Sequence, residues 1–404
     1  MIKNKKWGPG ATIGVLGGGQ LGRMVILEGK KMGYRFVTLD PAQDCPGSQV
    51  ADDHIVGGFR DLEAAALLAE RTDLIVYEFE NIDPEMVDFL QERKPVPQGS
   101  DLLRITRHRL HEKQALDQAG IPVSPYRFVH SKEDLIKATE EVGLPGVLKT
   151  TTGGYDGKGQ WMIHQMDEIE RKLPADLFSS SQVFIYEQFV PFIKELSVVV
   201  ARSTTGEVKT FPPVVNLHRN HILHMTIAPA TVEPAIAQKA EQLAKEVAKQ
   251  LQVVGLIAVE MFLLPNGEIW VNELAPRPHN SGHFTFDACE TSQFAQFLRA
   301  VLGLPLQSPR LVSPAVMVNI LGEHVPTLME NWYTLPSSVK VHWYGKQEAK
   351  KGRKMGHVTV LAAEVEEALA LCDQLPLWSP LSEKERAAVT ARCTISEGVE
   401  ERND

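Results

Sequence analysis

Short apolar runs at 13–16, 36–39 and 74–79 alternate with stretches at 21–32 and 62–71 in which apolar residues recur at helical spacing. Runs of this length read as buried strands, and strands alternating with helices predict a parallel, doubly wound sheet. The segment KPVPQG at 94–99, with two prolines, closes this first region.

A second region opens with RITRHRLHEKQALDQAG, helical in composition and ended by Gly120. It continues as a strand at 146–150, a glycine-rich loop, and a strand pair, VFIYEQFV and ELSVVVAR. Ile236, Leu243, Val247 and Leu251 then form a helical stripe that belongs to the core and carries no chemistry. A hairpin follows, and then a loop rich in Pro, His and Asn. The tail from about Pro305 mixes short β patterns, VKVHWYG and HVTVLAAE, with one helix. No internal repeat, coiled coil or low-complexity segment interrupts the chain.

A length of 404 residues exceeds what one hydrophobic core supports and implies two or three domains. Hydrophobic content of 43% and charged content of 23% are ordinary for a soluble globular protein. The net charge of −9 disfavours non-specific nucleic-acid binding, so anionic substrates would need locally concentrated positive charge. Cys45, Cys289, Cys372 and Cys393 are scattered, without CxxC or metal spacing, which fits a reducing compartment. The start, MIKNKKWGPGATIGVLGGG, has too few consecutive apolar residues for a signal peptide or a membrane span. A cytoplasmic protein without a membrane partner is expected.

The first glycine loop, Gly17-Gly18-Gly19-Gln20-Leu21-Gly22, follows a strand, and Asp40 ends the next one. This satisfies the dinucleotide fingerprint. The physics is less specific: such a loop aims backbone N–H groups from a helix N-terminus and attracts any phosphate. A nicotinamide site needs support elsewhere in the chain, and none is found; a purely structural turn stays open.

The second glycine loop is more telling. Lys149 ends a strand that runs into Gly153-Gly154-Tyr155-Asp156-Gly157-Lys158-Gly159-Gln160. Four glycines let a backbone fold over a polyphosphate while Lys149 and Lys158 supply charge. Glu187-Gln188-Phe189-Val190 joins two strands and can present backbone groups to a purine edge, although a plain connection would look the same.

In the segment from Glu260 to Glu273, Asn266-Gly267 is the favoured two-residue hairpin turn. Mirror positions about that turn put Glu260 directly opposite Glu273, with Phe262 opposite Val271 and Leu264 opposite Ile269 on the same face. Two opposed carboxylates on an apolar face repel each other and resist burial. A divalent cation answers both problems, and magnesium is the usual choice beside nucleotide phosphates. The following APRPHNSGH spaces His279 and His283 like a zinc pair, but its prolines and glycine exclude the helix such a pair requires. Arg, His and Asn clustered beside a metal site suit a small oxyanion instead.

Taken together, these motifs resemble the ATP-grasp superfamily over nearly the whole chain. GGGQLGRM, YEFENID, TTGGYDGKGQ and NELAPRPHNSGH resemble most closely its members that carboxylate 5-aminoimidazole ribonucleotide with ATP and bicarbonate. The resemblance implies an α/β fold in three parts: a doubly wound pre-ATP-grasp domain at 1–107, an α+β ATP-grasp domain at 108–304 and a small β-rich domain at 305–404. It implies an ATP site formed by Arg109, Lys149, the loop Gly154, Tyr155, Asp156, Gly157, Lys158, Gly159 and Gln160, the segment Glu187, Gln188, Phe189 and Val190, and Glu195 and His218. It further implies that Glu260 and Glu273 hold magnesium with Asn272 alongside, and that Tyr155, Arg277, His279 and Asn280 hold bicarbonate. Asp156 would meet the exocyclic amine of the ribonucleotide. Gln20 and Leu21, with Glu80 or Glu78, would contact that substrate, and relatives of this kind are dimers.

A phosphate monoester is close to doubly charged at neutral pH. The cation-rich segment YGKQEAKKGRKMGH supplies Lys346 and Arg353 beside glycines, at a spacing like the family's phosphate-binding pair. Lys350, Lys351 and Lys354 read as solvated surface lysines. The readings left open are a nicotinamide oxidoreductase, a catalytically silent nucleotide-binding module, and a formyl-transferring ligase acting on glycinamide ribonucleotide.

Overall fold

In the computed structural model, which describes residues 7–153, 159–174, 176–179 and 182–391, the first apolar runs form a four-stranded parallel sheet. Its order is Asp53–Val56, Arg35–Asp40, Thr12–Leu16, Leu74–Tyr77. The helices Gln20–Lys31 and Leu62–Arg71 fall on the predicted segments. The edge strand Asp53–Val56 was not predicted, because Ile55 is its only buried residue and leaves no apolar run to read.

The charged segment after this sheet is two helices, Asp101–Thr106 and Arg109–Gln118, not one. His108 takes an extended conformation between them, and Gly120 ends the second at φ +67°. The strands Phe184–Gln188 and Lys194–Arg202 were read as a pair, yet they do not bond to each other. The first lies in an antiparallel sheet ordered Tyr126–Val129, Phe184–Gln188, Gly146–Thr150, Gln160–Ile163. The second is central to a nine-stranded sheet, so 189–193 carries the chain from one sheet to the other.

That large sheet runs Ile269–Ala275, Gly255–Leu263, Lys194–Arg202, Val214–Arg219, Ile222–Ala228, Ala315–Leu321, Lys354–Leu361, Val339–Trp343, with Val208–Thr210 added beside Lys194–Arg202. The tail's strands therefore extend the central sheet, and they share its core with Ile236, Val247 and neighbouring residues of the helix Pro234–Gln250. Three helices accompany them, Val325–Asn331, Val365–Gln374 and Glu383–Thr390, where the sequence suggested one. Among the described residues no helix is long and apolar enough to cross a membrane.

A second core joins the parallel sheet to the large one. Ile13, Val25, Phe36 and Val76 pack with Val199, Leu256, Phe297 and Leu298. Gly29 lets the helix Gln20–Lys31 approach closely: a Cβ there would overlap the Phe36 ring and lie 2.9 Å from Leu298 Cδ1. Both neighbours are fully buried and have nowhere to move. Helix propensity favours Ala over Gly by about 1 kcal/mol, but overpacking costs ~1–3 kcal/mol, so sterics should prevail. Gly29→Ala is expected to lower the urea or thermal midpoint; an unchanged or raised midpoint would show that this seam is loosely packed.

Candidate active site

The hairpin Gly255–Leu263 to Ile269–Ala275 does bring Glu260 opposite Glu273, by a different route from the one expected. Its turn has three residues, not two: Leu264 and Glu268 pair across Pro265-Asn266-Gly267, with Gly267 left-handed at φ +79°. Phe262 therefore faces Trp270 and Leu263 faces Ile269; the expected partners Val271 and Ile269 of Phe262 and Leu264 are displaced by one residue. A bulge at Asn272 then absorbs the extra residue and restores the carboxylate pair. Val271 consequently packs in the core, while Glu260, Asn272 and Glu273 face a cavity of about 580 Å³.

Arg109, Gln160, Glu195, His218, Arg277, His279, Asn280 and Glu80 line the same cavity, so the residues implicated by sequence for the metal and bicarbonate converge there with part of the ATP set, Tyr155 lying outside the described residues. Arg109 Nη1 lies 3.7 Å from Glu273 Oε2. His279 Nε2 is 3.1 Å from Glu260 Oε1, and its Nδ1 is 2.9 Å from the Ser281 hydroxyl. His218 Nδ1 pairs with Glu195 Oε2 at 2.9 Å from the adjoining strand. Asn280 exchanges side-chain hydrogen bonds with Asn319 at 2.7 and 3.0 Å, which fixes its amide at the cavity wall.

Glu78 and Glu80, indistinguishable by sequence, have different partners. Glu80 takes the Arg277 guanidinium in a fork, Nε to Oε2 and Nη2 to Oε1 at 2.8 Å. Burial opposes its charge, but Arg277 prevails and holds the carboxyl down at about 2. Glu78 instead accepts backbone N–H groups of Gly19 and Gly22. The first glycine loop, expected to offer these donors to a phosphate, is thus filled by the chain's own carboxylate, and Asp40 Oδ2 takes the Gly18 N–H at 2.8 Å.

Lys149 and the segment 187–190 do not line the cavity. They form an adjoining buried cluster in which Glu187 Oε2 lies 3.2 Å from Lys149 Nζ and 3.5 Å from Lys113 Nζ. Burial raises the Glu187 pKa, and the two lysines overcome it, lowering the carboxyl to about 2. The N–H groups of Gln188 and Phe189 already donate to the carbonyls of Pro125 and Pro145, and Val190 is buried. Gly159, at φ +68°, bonds to Thr150 and closes the second glycine loop at its far end. Gly154, Tyr155, Asp156, Gly157 and Lys158 lie outside the described residues.

Gln20, Leu21, Lys346 and Arg353 also stand away from the cavity lining. Gln20 Oε1 accepts from Lys346 Nζ at 2.6 Å, which joins the first domain to the tail. Leu21 is buried, and Arg353 is exposed, donating to the Glu348 carbonyl at 3.0 Å. Lys354, read as a surface lysine, instead lines the cavity, and its charge helps keep Glu260 ionised. It sits on the strand Lys354–Leu361, where alternation turns it inward; the cluster of neighbouring lysines concealed this. Among the other lining residues that the sequence reading missed are His221 and Glu112. His221 lies in the Asn220-His221 turn, both residues at positive φ, a two-residue hairpin signal present in the sequence. Glu112 accepts the Leu274 N–H at 3.2 Å, and burial, with Glu273 nearby, pushes its pKa up to about 8; nothing in its helical pattern marks it.

The carboxylate pair tests well as a cation site. Desolvation at the cavity wall disfavours charge on both groups, although the Glu273 side chain is half exposed; His279 holds Glu260 ionised, whereas Glu260 and Glu80 add repulsion to Glu273 and raise its pKa. A cation between them would relieve that frustration. Among the described residues no cluster of three or more His, Cys, Asp or Glu side chains could encage a metal. Two carboxylates that leave the remaining positions to phosphate oxygens and water match the way magnesium is held at nucleotides. His283 is fully buried and takes a hydrogen bond from Gln293, whose amide also bonds to the His279 backbone, while the His279 ring turns to Glu260 and Ser281.

Three family models match consecutive parts of the chain: a ribonucleotide synthetase preATP-grasp domain at 10–107, an ATP-grasp domain at 114–294, and a phosphoribosylaminoimidazole carboxylase C-terminal domain at 315–371. The N5-carboxyaminoimidazole ribonucleotide synthase of Bacillus subtilis (strain 168) is 50% identical over 353 residues, 87% of this chain and 92% of that one. A crystal structure of an N5-carboxyaminoimidazole ribonucleotide synthetase in complex with ADP superposes with a TM-score of 0.89 at 48% identity, covering 93% of this chain and 98% of that one. The Aspergillus clavatus enzyme, solved with ADP and 5-aminoimidazole ribonucleotide, gives 0.84 at 32% identity over 91% and 97% of the two chains. With the opposed carboxylates facing one cavity and three family models matched along its length, the chain belongs to the N5-carboxyaminoimidazole ribonucleotide synthase family of ATP-grasp proteins.

Proposed function

We propose that this protein carboxylates 5-aminoimidazole ribonucleotide with bicarbonate at the expense of ATP, giving 5-(carboxyamino)imidazole ribonucleotide, ADP and phosphate. The observation that carries the reading is the opposed pair Glu260 and Glu273 lining one cavity with Arg277, His279 and Asn280. Family membership supplies the substrates. A cytoplasmic homodimer is part of the same proposal, supported by resemblance alone.

ATP would lie along Arg109, Lys149, Gln160, Glu195 and His218, with the second glycine loop over its phosphates. Glu260 and Glu273, with Asn272 alongside, would hold a magnesium ion that neutralises charge on the β- and γ-phosphates. Bicarbonate is a poor electrophile, so its oxygen first attacks the γ-phosphorus. The bond to the bridging oxygen breaks, ADP departs, and carboxyphosphate remains. Arg277 is held ionised by Glu80 and supplies a fixed cation for that oxyanion, assisted by His279 and Asn280. The ribonucleotide's exocyclic amine then attacks the carboxyl carbon, phosphate leaves, and Asp156 accepts the amine proton. Enclosure matters because carboxyphosphate hydrolyses readily in water. Lys346 and Arg353 would hold the ribonucleotide phosphate, and Gln20 and Leu21, with Glu80, would contact the same substrate.

ADP release should require both bicarbonate and 5-aminoimidazole ribonucleotide. Release that depends instead on formate and glycinamide ribonucleotide would assign the chain to formyl transfer. Saturable, NAD-competed enhancement of NADH fluorescence would point to a dehydrogenase.

Burial, reinforced by Arg353 and Lys354, lowers the Lys346 pKa to about 8. Its charge is therefore present below that pH and lost as pH rises through it. kcat/KM for the ribonucleotide reports the free enzyme and should fall above about pH 8. Lys346→Arg, which stays charged, should remove that shoulder; superimposable profiles would dissociate Lys346 from the phosphate.

A further inference from the structure

We propose that Glu78 is a positioning residue of the ribonucleotide site: its carboxylate is the built-in anion of the first glycine loop, fixing the turn that presents Gln20 and closing that loop to phosphate. The proposal rests on the assignment of Gln20 and Lys346 to the ribonucleotide made above.

The helix Gln20–Lys31 begins without a side-chain cap, and its first turn contains no acidic residue. Its orphan N–H groups and positive dipole end call for an anion. Glu78, just past the neighbouring strand Leu74–Tyr77, supplies one from outside the helix. Oε1 accepts from Gly19 N and Oε2 from Gly22 N, so both oxygens are used and the two donors bracket Gln20. Glu78 is 5% exposed, a costly place for a carboxylate without such partners.

The glycines fit this carboxylate, not a ligand. A Cβ at Gly17 would come within 2.7 Å of Glu78 Cγ, and one at Gly19 within 2.7 Å of Glu78 Oε1. In a dinucleotide site these small residues make room for a pyrophosphate; here the room is taken by residue 78. From the loop the contact continues outward, since Gln20 Oε1 accepts from Lys346 Nζ at 2.6 Å and Lys346 also donates to the Lys354 carbonyl at 2.6 Å. Glu78 thus sets where Gln20 stands, and Gln20 helps set Lys346.

Glu78→Ala removes the atoms of one acetate ion, which gives the test. Ribonucleotide and ATP KM values are measured for the variant with and without sodium acetate at constant ionic strength. The ribonucleotide KM should rise about tenfold, equivalent to ~1.4 kcal/mol, with the ATP KM within about twofold. Acetate should restore much of the loss, and inorganic phosphate should compete with the ribonucleotide more strongly than in the wild type. A ribonucleotide KM that stays within about twofold, or rises but ignores acetate, overturns the proposal. Should Glu78→Ala fail to fold, Glu78→Gln decides: it keeps the shape but only one acceptor oxygen, so an unchanged ribonucleotide KM refutes the role. Lys346→Ala, run alongside, separates the two assignments. If it raises the ribonucleotide KM and the Glu78 variants do not, the proposal alone fails; if neither does, the ribonucleotide assignment fails with it.

Discussion

Two carboxylates face each other across adjacent strands, and much of the site is arranged to tolerate them. Unscreened like charges at that separation would drive one group to its neutral form. Here His279 stabilises Glu260, Arg109 lies near Glu273, and Lys354 reaches in from the tail. Each of these cations comes from a different segment, so the pair's electrostatics depend on the surrounding segments being in register. The bulge at Asn272 makes the opposition possible. Without it, the three-residue turn would set Glu260 against Asn272 and turn Glu273 away from the cavity.

Opposite-sign logic recurs elsewhere in the fold. Glu187 is buried between Lys113 and Lys149, Glu80 is gripped by Arg277, and Glu78 caps a helix N-terminus. The chain's net negative charge therefore coexists with several acids matched one by one to cations or N–H donors, while Glu112 and Glu273 stay shifted upward by burial and by neighbouring carboxylates. Such matched networks define one geometry well, because removing either partner leaves an uncompensated buried charge. The nine-stranded sheet carries most of this arrangement, bringing Glu195, His218, Glu260, Glu273 and Lys354 together from five of its strands.

Local periodicity and turn chemistry made the parallel sheet, the turn of the first glycine loop and the carboxylate pair legible in the sequence. What stayed hidden was non-local. Nothing in 183–202 announces that two consecutive strands belong to different sheets, since both read as short apolar runs. The hairpin was assigned a two-residue turn because Asn-Gly is the stronger signal, and Pro265 ahead of it gave no measure of the bulge that compensates. Lys354 looked like one lysine among several until strand alternation set it facing inward. Glu78 and Glu80 stand two residues apart just beyond a strand, and partner identity, the Gly19 and Gly22 N–H groups or Arg277, separates them.

The central claim is that Glu260 and Glu273 together form a divalent-cation site used with nucleotide. Binding of Mn²⁺ to the protein in the presence of ADP, followed by electron paramagnetic resonance, reads that site without relying on turnover. The wild type should bind the ion, and Glu260→Gln and Glu273→Gln should each weaken binding by at least about tenfold, or ~1.4 kcal/mol, with ADP affinity in the absence of metal retained. Wild-type Mn²⁺ affinity in both variants would contradict the account, because the opposed carboxylates would then be holding no metal.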